Sequence, residues 1–381
     1  NRISPEFPMP IMSSTNDVPI KRPGGVANVA YQFKNFNVLP TLICFADSDA
    51  LKVFHEHGVH RFWNRFEEKT QATLPIKKRF LDGKVQIKRH DIEKPFCGLS
   101  SDEIDQSHFA LKKAVNKLRM NPNVVIFSDY NKGFFYPEAK VHFPSIYPNA
   151  KIIVDPKKGP INRWRGCTIL KLNSSEAENL SGKIGWKEQA KFLKKELACE
   201  AVVITFSGDK VAGMDKNGYF LFNPDEKVNV DSVVGAGDCF AAIFAMAIGY
   251  GFTVRESVEV AYRAGSIYVQ ANMNRPIVPA ELSYSRVVCP EDLASRDFKI
   301  VFMNAYFESI NKNSIDKLKT AKNKGDKLVV GINLNKKNKL IPNDQKIEIL
   351  SNLRFVDFVV PYKDDNPIIT IQKIKPDVIV S

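Results

Sequence analysis

Residues 8–14 and 74–91 alternate apolar and polar side chains in short runs, and Asp82-Gly83 between Ile76–Leu81 and Lys84–Lys88 is a hairpin signal. These segments read as strands of a small sheet. The period then changes to strand–helix alternation: a helix at about 103–120, strands Val124–Ser128, Ile152–Asp155 and Thr168–Leu172, a helix over Lys187–Leu197, and a strand over Ala201–Thr205. Such alternation predicts an α/β fold whose mostly parallel sheet carries helices on its faces. Ligands of these sheets bind outside the carboxyl ends of the strands, where this chain places Asp129, Asp155-Pro-Lys157, Asn173 to Glu176, and Ser207.

The densest chemical signal is Asp231-Ser-Val-Val-Gly-Ala-Gly-Asp238, which runs directly into the apolar stretch Cys239–Ile248. It reads as a loop feeding a buried helix. The glycines allow close backbone approach to a ligand, and the first N–H groups of the helix converge on an anion. Gly235, Ala236 and Gly237 would thus stabilise charge on a transferring phosphoryl group, with Asp238 as the base that takes the proton of an attacking hydroxyl. The plain alternative is a tight turn before a helix.

Other candidates carry two readings each. Lys157, after a strand and a Pro-fixed turn, is either a ligand of ATP phosphates or an exposed lysine. Asn173-Ser-Ser-Glu176 opens a helix, so it is either a capping box or a site where Glu176 holds Mg²⁺ through water. Arg89 and Lys132 suit a phosphorylated sugar or a charged surface.

Composition narrows the class. A chain of 381 residues, 44% hydrophobic and 25% charged, suits two globular domains. No run of eighteen apolar residues appears, so no transmembrane helix is expected. The 6 cysteines lack C-x-x-C spacing, which argues against zinc and a disulfide framework and for a reducing cytoplasm. The net charge of +13 is spread along the whole chain without a nucleic-acid-binding motif, so no nucleic-acid partner is expected. Both ends, at Asn1 and after the strand-like Pro376-Asp-Val-Ile-Val-Ser381, read as cuts.

The Gly235–Asp238 signature resembles that of the ribokinase/PfkB sugar kinases, and Pro23-Gly-Gly-Val-Ala-Asn28 resembles that family's sugar-binding motif. Within it, Arg2–Pro8, Arg22–Ala30, Phe127–Gly133, Val154–Lys157 and Arg163–Thr168 look like the heptose 7-phosphate kinase domain of the bifunctional ADP-heptose synthesis enzymes, over residues 1–285. The resemblance implies sugar contacts from Gly24, Gly25 and Asn28, with Arg89 and Lys132 near the sugar's phosphate. It places Lys157, Asn173, Glu176, Thr205 and Ser207 on the nucleotide side, and makes Asp238 the base. It also implies a lid, formed by residues 8–14 and 74–91, that joins two copies into a homodimer. Departures from the pattern are Lys210 for a glycine in Thr205-Phe-Ser-Gly-Asp-Lys210, Tyr262 for an asparagine beside the base, and Met273 for a late glycine. The family's opening strand, with its sugar-binding aspartate, would precede Asn1.

After a linker at 286–297, residues 298–381 resemble part of the Rossmann-like nucleotidyltransferase domain that follows the kinase in those enzymes. The resembling segments are Lys299–Phe307, Lys324–Asn333, Phe355–Val360 and Lys375–Ile379. The family's H-x-G-H motif aligns with Asn311-Lys-Asn-Ser314, Ala305 replaces a glycine before the aromatic, and the last of the chain's 6 histidines is His142. Nucleotidyl transfer is therefore expected to be absent. The whole predicts an ATP- and Mg²⁺-dependent kinase for a sugar phosphate, heptose 7-phosphate on the resemblance. The alternatives are an inactive kinase-fold regulatory protein and a kinase for another sugar.

Overall fold

The computed structural model describes residues 2–3, 10–11, 20–36, 38–44, 46–60, 62–64, 76–82, 85–92, 122–131, 149–224, 235–270, 275–282, 286–294, 296, 298–304, 310–336, 341–364 and 366–380. Near the N-terminus, β1 (Arg2–Ile3) pairs antiparallel with β2 (Pro10–Ile11), and β3 (Leu42–Cys44) pairs parallel with β4 (Phe62–Asn64) across the helix Ser48–Glu56. The predicted hairpin is present as β5 (Ile76–Asp82) and β6 (Val85–Ile92), with Asp82 opposite Val85 and a register shift between Phe80 and Leu81. The helix expected at 103–120, and Lys132 and Met273, lie outside the described residues.

The main sheet contains β7 (Val124–Asp129), β8 (Lys151–Pro156), β9 (Ile169–Asn173), β10 (Ala201–Phe206), β11 (Lys210–Asp215) and β12 (Gly218–Phe222), in the order β12-β11-β10-β9-β8-β7. β7 to β10 are mutually parallel, and β11 and β12 extend the sheet as an antiparallel hairpin. Strand side chains alternate faces, so neighbours in sequence enter different cores. Ile153, Ile169 and Val203 pack under the helices Ala236–Gly249 and Val254–Gln270. Ile152, Val154, Leu170, Leu172, Val202 and Ile204 pack with Trp164, Ala177, Ala190, Leu193 and Leu197 on the opposite face. That burial on both faces explains why these strands read as continuous apolar runs.

A second sheet contains β13 (Ile300–Asn304), β14 (Lys327–Asn333), β15 (Phe358–Tyr362) and β16 (Val378–Val380), all parallel, in the order β15-β14-β13-β16. All four fall on the segments read from the sequence as a Rossmann-like unit. The stretch expected as a linker is instead packed: Val288 donates to Val359 O (3.0 Å), Val359 donates to Arg286 O (2.7 Å), and Val288 and Leu293 share a core with Phe302, Val329 and Val360. Its apolar Val287-Val288 pair has a sheet edge to bury against.

Candidate active site

The carboxyl ends of β7, β8, β9 and β10 bring most of the expected residues together. Gly235, at φ 81°, turns the chain into the helix Ala236–Gly249, whose first turn presents Asp238. Asp238 Oδ2 accepts from Asn28 Nδ2 at 2.9 Å, and Oδ1 accepts from Tyr130 Oη at 2.7 Å. Asn28 is supplied by the helix Val26–Tyr31, which starts from Gly25 at φ 57°. That backbone favours glycine at position 25, and Gly24 beside it is exposed. Burial pushes the Asp238 carboxyl above the ordinary aspartate range, against the opposing pull of Asn28 and Tyr130. Burial, with the Asp238 charge beside it, pushes the Tyr130 phenol well up, so it remains a donor.

A Cβ at Gly235 would lie 2.5 Å from Tyr268 Oη and 3.1 Å from Asn28 Nδ2, on a backbone that L side chains avoid. Gly235→Ala should therefore displace Asn28 from Asp238 and cut ATP turnover at least tenfold, measured beside its thermal unfolding.

On the neighbouring strands, Lys157 Nζ donates to Glu176 Oε1 at 2.7 Å and lies 3.5 Å from Asp155 Oδ1, while the buried Lys171 Nζ donates to Asp155 Oδ2 at 3.0 Å. Burial alone would push Asp155 up, but Lys171 and Lys157 outweigh it and hold the carboxyl below its usual range. Burial likewise opposes the Lys157 charge, and Asp155 and Glu176 outweigh it and raise that ammonium. Lys157 is one-third exposed, and so is neither a free surface lysine nor a sealed one.

The capping-box reading of Asn173 and Glu176 is correct. Asn173 Oδ1 accepts from the Glu176 N–H at 2.8 Å, and Glu176 Oε2 accepts from the Asn173 N–H at 2.7 Å. The same carboxylate reaches Lys157 through its other oxygen, so capping and a place in the charged cluster coexist. Thr205, opposite Asn173 in the sheet, donates to Leu172 O at 3.2 Å, and Ser207 is exposed at φ 40° in the turn that follows. Tyr262 packs on Phe222 and donates to Gly208 O at 2.6 Å, and so braces that turn. Lys210 lies with its ammonium 5.0 Å from the Phe206 ring.

The two groups form one site. Lys157 Nζ is 5.8 Å from the Tyr130 ring centroid, and Lys171 Nζ is 3.7 Å from where a Cβ on Gly237 would be. Gly237 is itself exposed and Ala236 half-buried, so the helix N-terminus opens onto this cluster. Arg89 lies on β6, where it makes a bidentate pair with Asp91 at 2.7 and 2.5 Å, within its own hairpin. Three residues of the site were not singled out from sequence: Tyr130, Tyr268 and Lys171. A lysine inside the apolar strand Ile169–Asn173 was a signal, because a buried cation requires a buried partner.

In the second sheet, the residues at the H-x-G-H position have a structural use. Asn311 caps the helix Lys312–Lys322, with Oδ1 accepting from the Ser314 N–H at 3.2 Å and Ser314 Oγ accepting from the Asn311 N–H at 2.7 Å. Lys312 is exposed.

The mixed main sheet, with an acid in the first turn of a glycine-led helix at the carboxyl ends of its parallel strands, has the fold of ribokinase-like sugar kinases. Residues 103–280 match the model of the pfkB family carbohydrate kinases. Phosphofructokinase-2 from Escherichia coli superposes with a TM-score of 0.58 at 18% identity, covering 72% of this chain and 90% of that one. Ribokinase from Thermotoga maritima superposes with a TM-score of 0.50 at 19% identity, covering 68% and 86%. Along its entire length the chain is similar to the bifunctional protein HldE. The HldE of Hydrogenovibrio crunogenus is 28% identical over 413 residues, and that of Shewanella amazonensis 29% over 413, with 83% and 84% of those proteins covered. The family resemblance read from the sequence is thereby borne out. No helix among the described residues is long and apolar enough to cross a membrane.

Proposed function

We propose that this protein transfers the γ-phosphoryl group of ATP to the anomeric hydroxyl of a sugar phosphate, converting heptose 7-phosphate to the 1,7-bisphosphate in the cytoplasm. The observation that carries this reading is the Asp238 carboxylate, held by Asn28 and Tyr130 at the opening of a glycine-led helix, with Lys157 and Lys171 alongside. Asp238 takes the hydroxyl proton as the oxygen attacks phosphorus, and ADP leaves. The N–H groups of Gly235, Ala236 and Gly237 face the equatorial oxygens of the phosphoryl group in flight, and Lys157 draws the remaining phosphates to the ends of the strands.

Magnesium fits the donor set. Glu176 spends one oxygen on an N–H and the other on Lys157, and a carboxylate has lone pairs left for the waters of a hydrated cation. When bound, Mg²⁺ held by Glu176 through water would supply positive charge to offset that of the phosphates. On the same reading Gly24, Gly25 and Asn28 contact the sugar. Arg89 and Lys132 lie toward its phosphate, Asn173, Thr205 and Ser207 border the nucleotide, and the lid of residues 8–14 and 74–91 joins two copies.

The test is ADP formation with heptose 7-phosphate and a panel of simple sugars. Turnover confined to the heptose phosphate supports the full reading, turnover with another sugar changes only the substrate, and none with any sugar favours a regulatory kinase-fold protein. The Asn311–Ser314 cap supports a second expectation: with heptose 1-phosphate and ATP, pyrophosphate release stays at the level of a protein-free control.

A further inference from the structure

We propose that Tyr130 is the positioning residue that aims Asp238 at the acceptor hydroxyl, by fixing one carboxylate oxygen while Asn28 fixes the other. The inference rests on the kinase reading above and adds to it a residue that no motif assigns. The two donors approach different oxygens, Tyr130 at Oδ1 and Asn28 at Oδ2, which fixes the rotation of the carboxylate plane and leaves each oxygen a lone pair for the substrate. Oriented bases owe much of their effect to such restraint.

The placement of Tyr130 is itself built by the fold. β7 ends in Asp129, which is buried against Arg163, accepts the Asn131 N–H through Oδ1 at 2.9 Å, and through its carbonyl accepts the Lys157 N–H at 2.9 Å. Asn131 then takes φ 54°, so the chain bends immediately after the tyrosine. The ring lies against the sugar-side turn, 3.5 Å from where a Cβ on Gly25 would be, with Lys157 Nζ 5.8 Å from its centroid on the nucleotide side. One side chain therefore touches the base, the glycine turn and the phosphate-side lysine.

The pH dependence separates aiming from mere packing. Among the described residues, the charged and titratable groups around Asp238 are Tyr130 after β7, Asp155 on β8, Lys157 after it, Lys171 on β9, Cys239 beside Asp238 in its own helix and Tyr268 on the helix Val254–Gln270. Among them Tyr130 donates a hydrogen bond to the ionised carboxylate, which favours the charged form. Removing that donor makes Asp238 harder to ionise, so activity on the acid side is lost at a higher pH.

The experiment compares wild type and Tyr130→Phe, which keeps the ring against Gly25, in sugar-dependent ADP formation across pH, with thermal unfolding alongside. The expected result is a kcat lower by about tenfold, little change in KM for the sugar, and an acid limb displaced to higher pH. A variant whose kcat and acid limb match wild type overturns the role and leaves the kinase reading standing. A variant that merely melts earlier, with the limb in place, also overturns it and makes Tyr130 a packing residue. A wild-type protein with no turnover on any sugar overturns the kinase reading and this role with it.

Discussion

Asp238→Asn is expected to lower sugar-dependent ADP formation about a thousand-fold, the range in which a positioned general base contributes, while the protein stays folded. The substitution is nearly isosteric, removes the negative charge and replaces one of the two acceptor oxygens with an NH2 donor. Asn28 Nδ2 can still donate to the amide oxygen, so the link between the helix Val26–Tyr31 and the helix Ala236–Gly249 is kept, while Tyr130 loses its acceptor oxygen. What is lost is the carboxylate proposed to accept the hydroxyl proton. Sugar and nucleotide affinity should therefore survive, and the defect should fall on kcat.

The wild-type pH profile gives an independent check. Asp238 must be ionised to act as a base, and burial holds its carboxyl above the ordinary range. Activity should accordingly fade on the acid side at a higher pH than an exposed aspartate would give. A profile flat through the mildly acidic range, or a variant with near wild-type kcat, would remove Asp238 from the proton transfer.

Much of the fold was legible because its strands are buried on both faces. β7, β8, β9 and β10 stand within a residue or two of the positions read from their apolar runs, and the Asp82-Gly83 signal falls where β5 ends, ahead of its partner β6. The β11–β12 hairpin and the helix Val254–Gln270 were not read, although signals existed. Asn217-Gly218 closes the hairpin, and Thr253 and Glu256 form reciprocal capping bonds at 2.8 and 3.3 Å. The site was legible where chemistry is local. Gly235 to Asp238 and Asn173 to Glu176 are each contiguous, and their geometry follows from a turn and a cap. Tyr130 was not legible, because its partner lies 108 residues away and only the folded sheet brings them together. The packed stretch at 286–294 was likewise hidden: its apolar residues show no helix or strand period, and only the edge of β15 gives Val287 and Val288 a place.

Lys171→Met should produce the largest loss of stability, about 3 kcal/mol at neutral pH, because it leaves a buried carboxylate without its buried cation. Lys171 and Asp155 are 3% and 4% exposed and bonded at 3.0 Å, whereas Lys157, the other cation on Asp155, is farther away at 3.5 Å and one-third exposed. Methionine fills the same volume, so the loss reports charge rather than a cavity. The sign of the pH dependence follows from Asp155. Its folded-state carboxyl is held below the ordinary value, so its ionised form stabilises the protein above the unfolded-state value, and this contribution is lost as pH falls through the folded-state value. In the variant that contribution is missing from the start. The stability difference between wild type and Lys171→Met should therefore be greatest near neutral pH and shrink on acidification, as measured by urea unfolding at several pH values. A difference that stays constant with pH would mean that packing, not the Lys171–Asp155 charge pair, carries the effect. Lys157→Met should cost less, since solvent partly screens that ammonium and Lys171 remains on Asp155. Lys171 also borders Gly237 at the helix opening, so its loss should weaken phosphate binding as well. On the proposed reading, the charge that holds the sheet together and the charge offered to the nucleotide lie on the same few side chains.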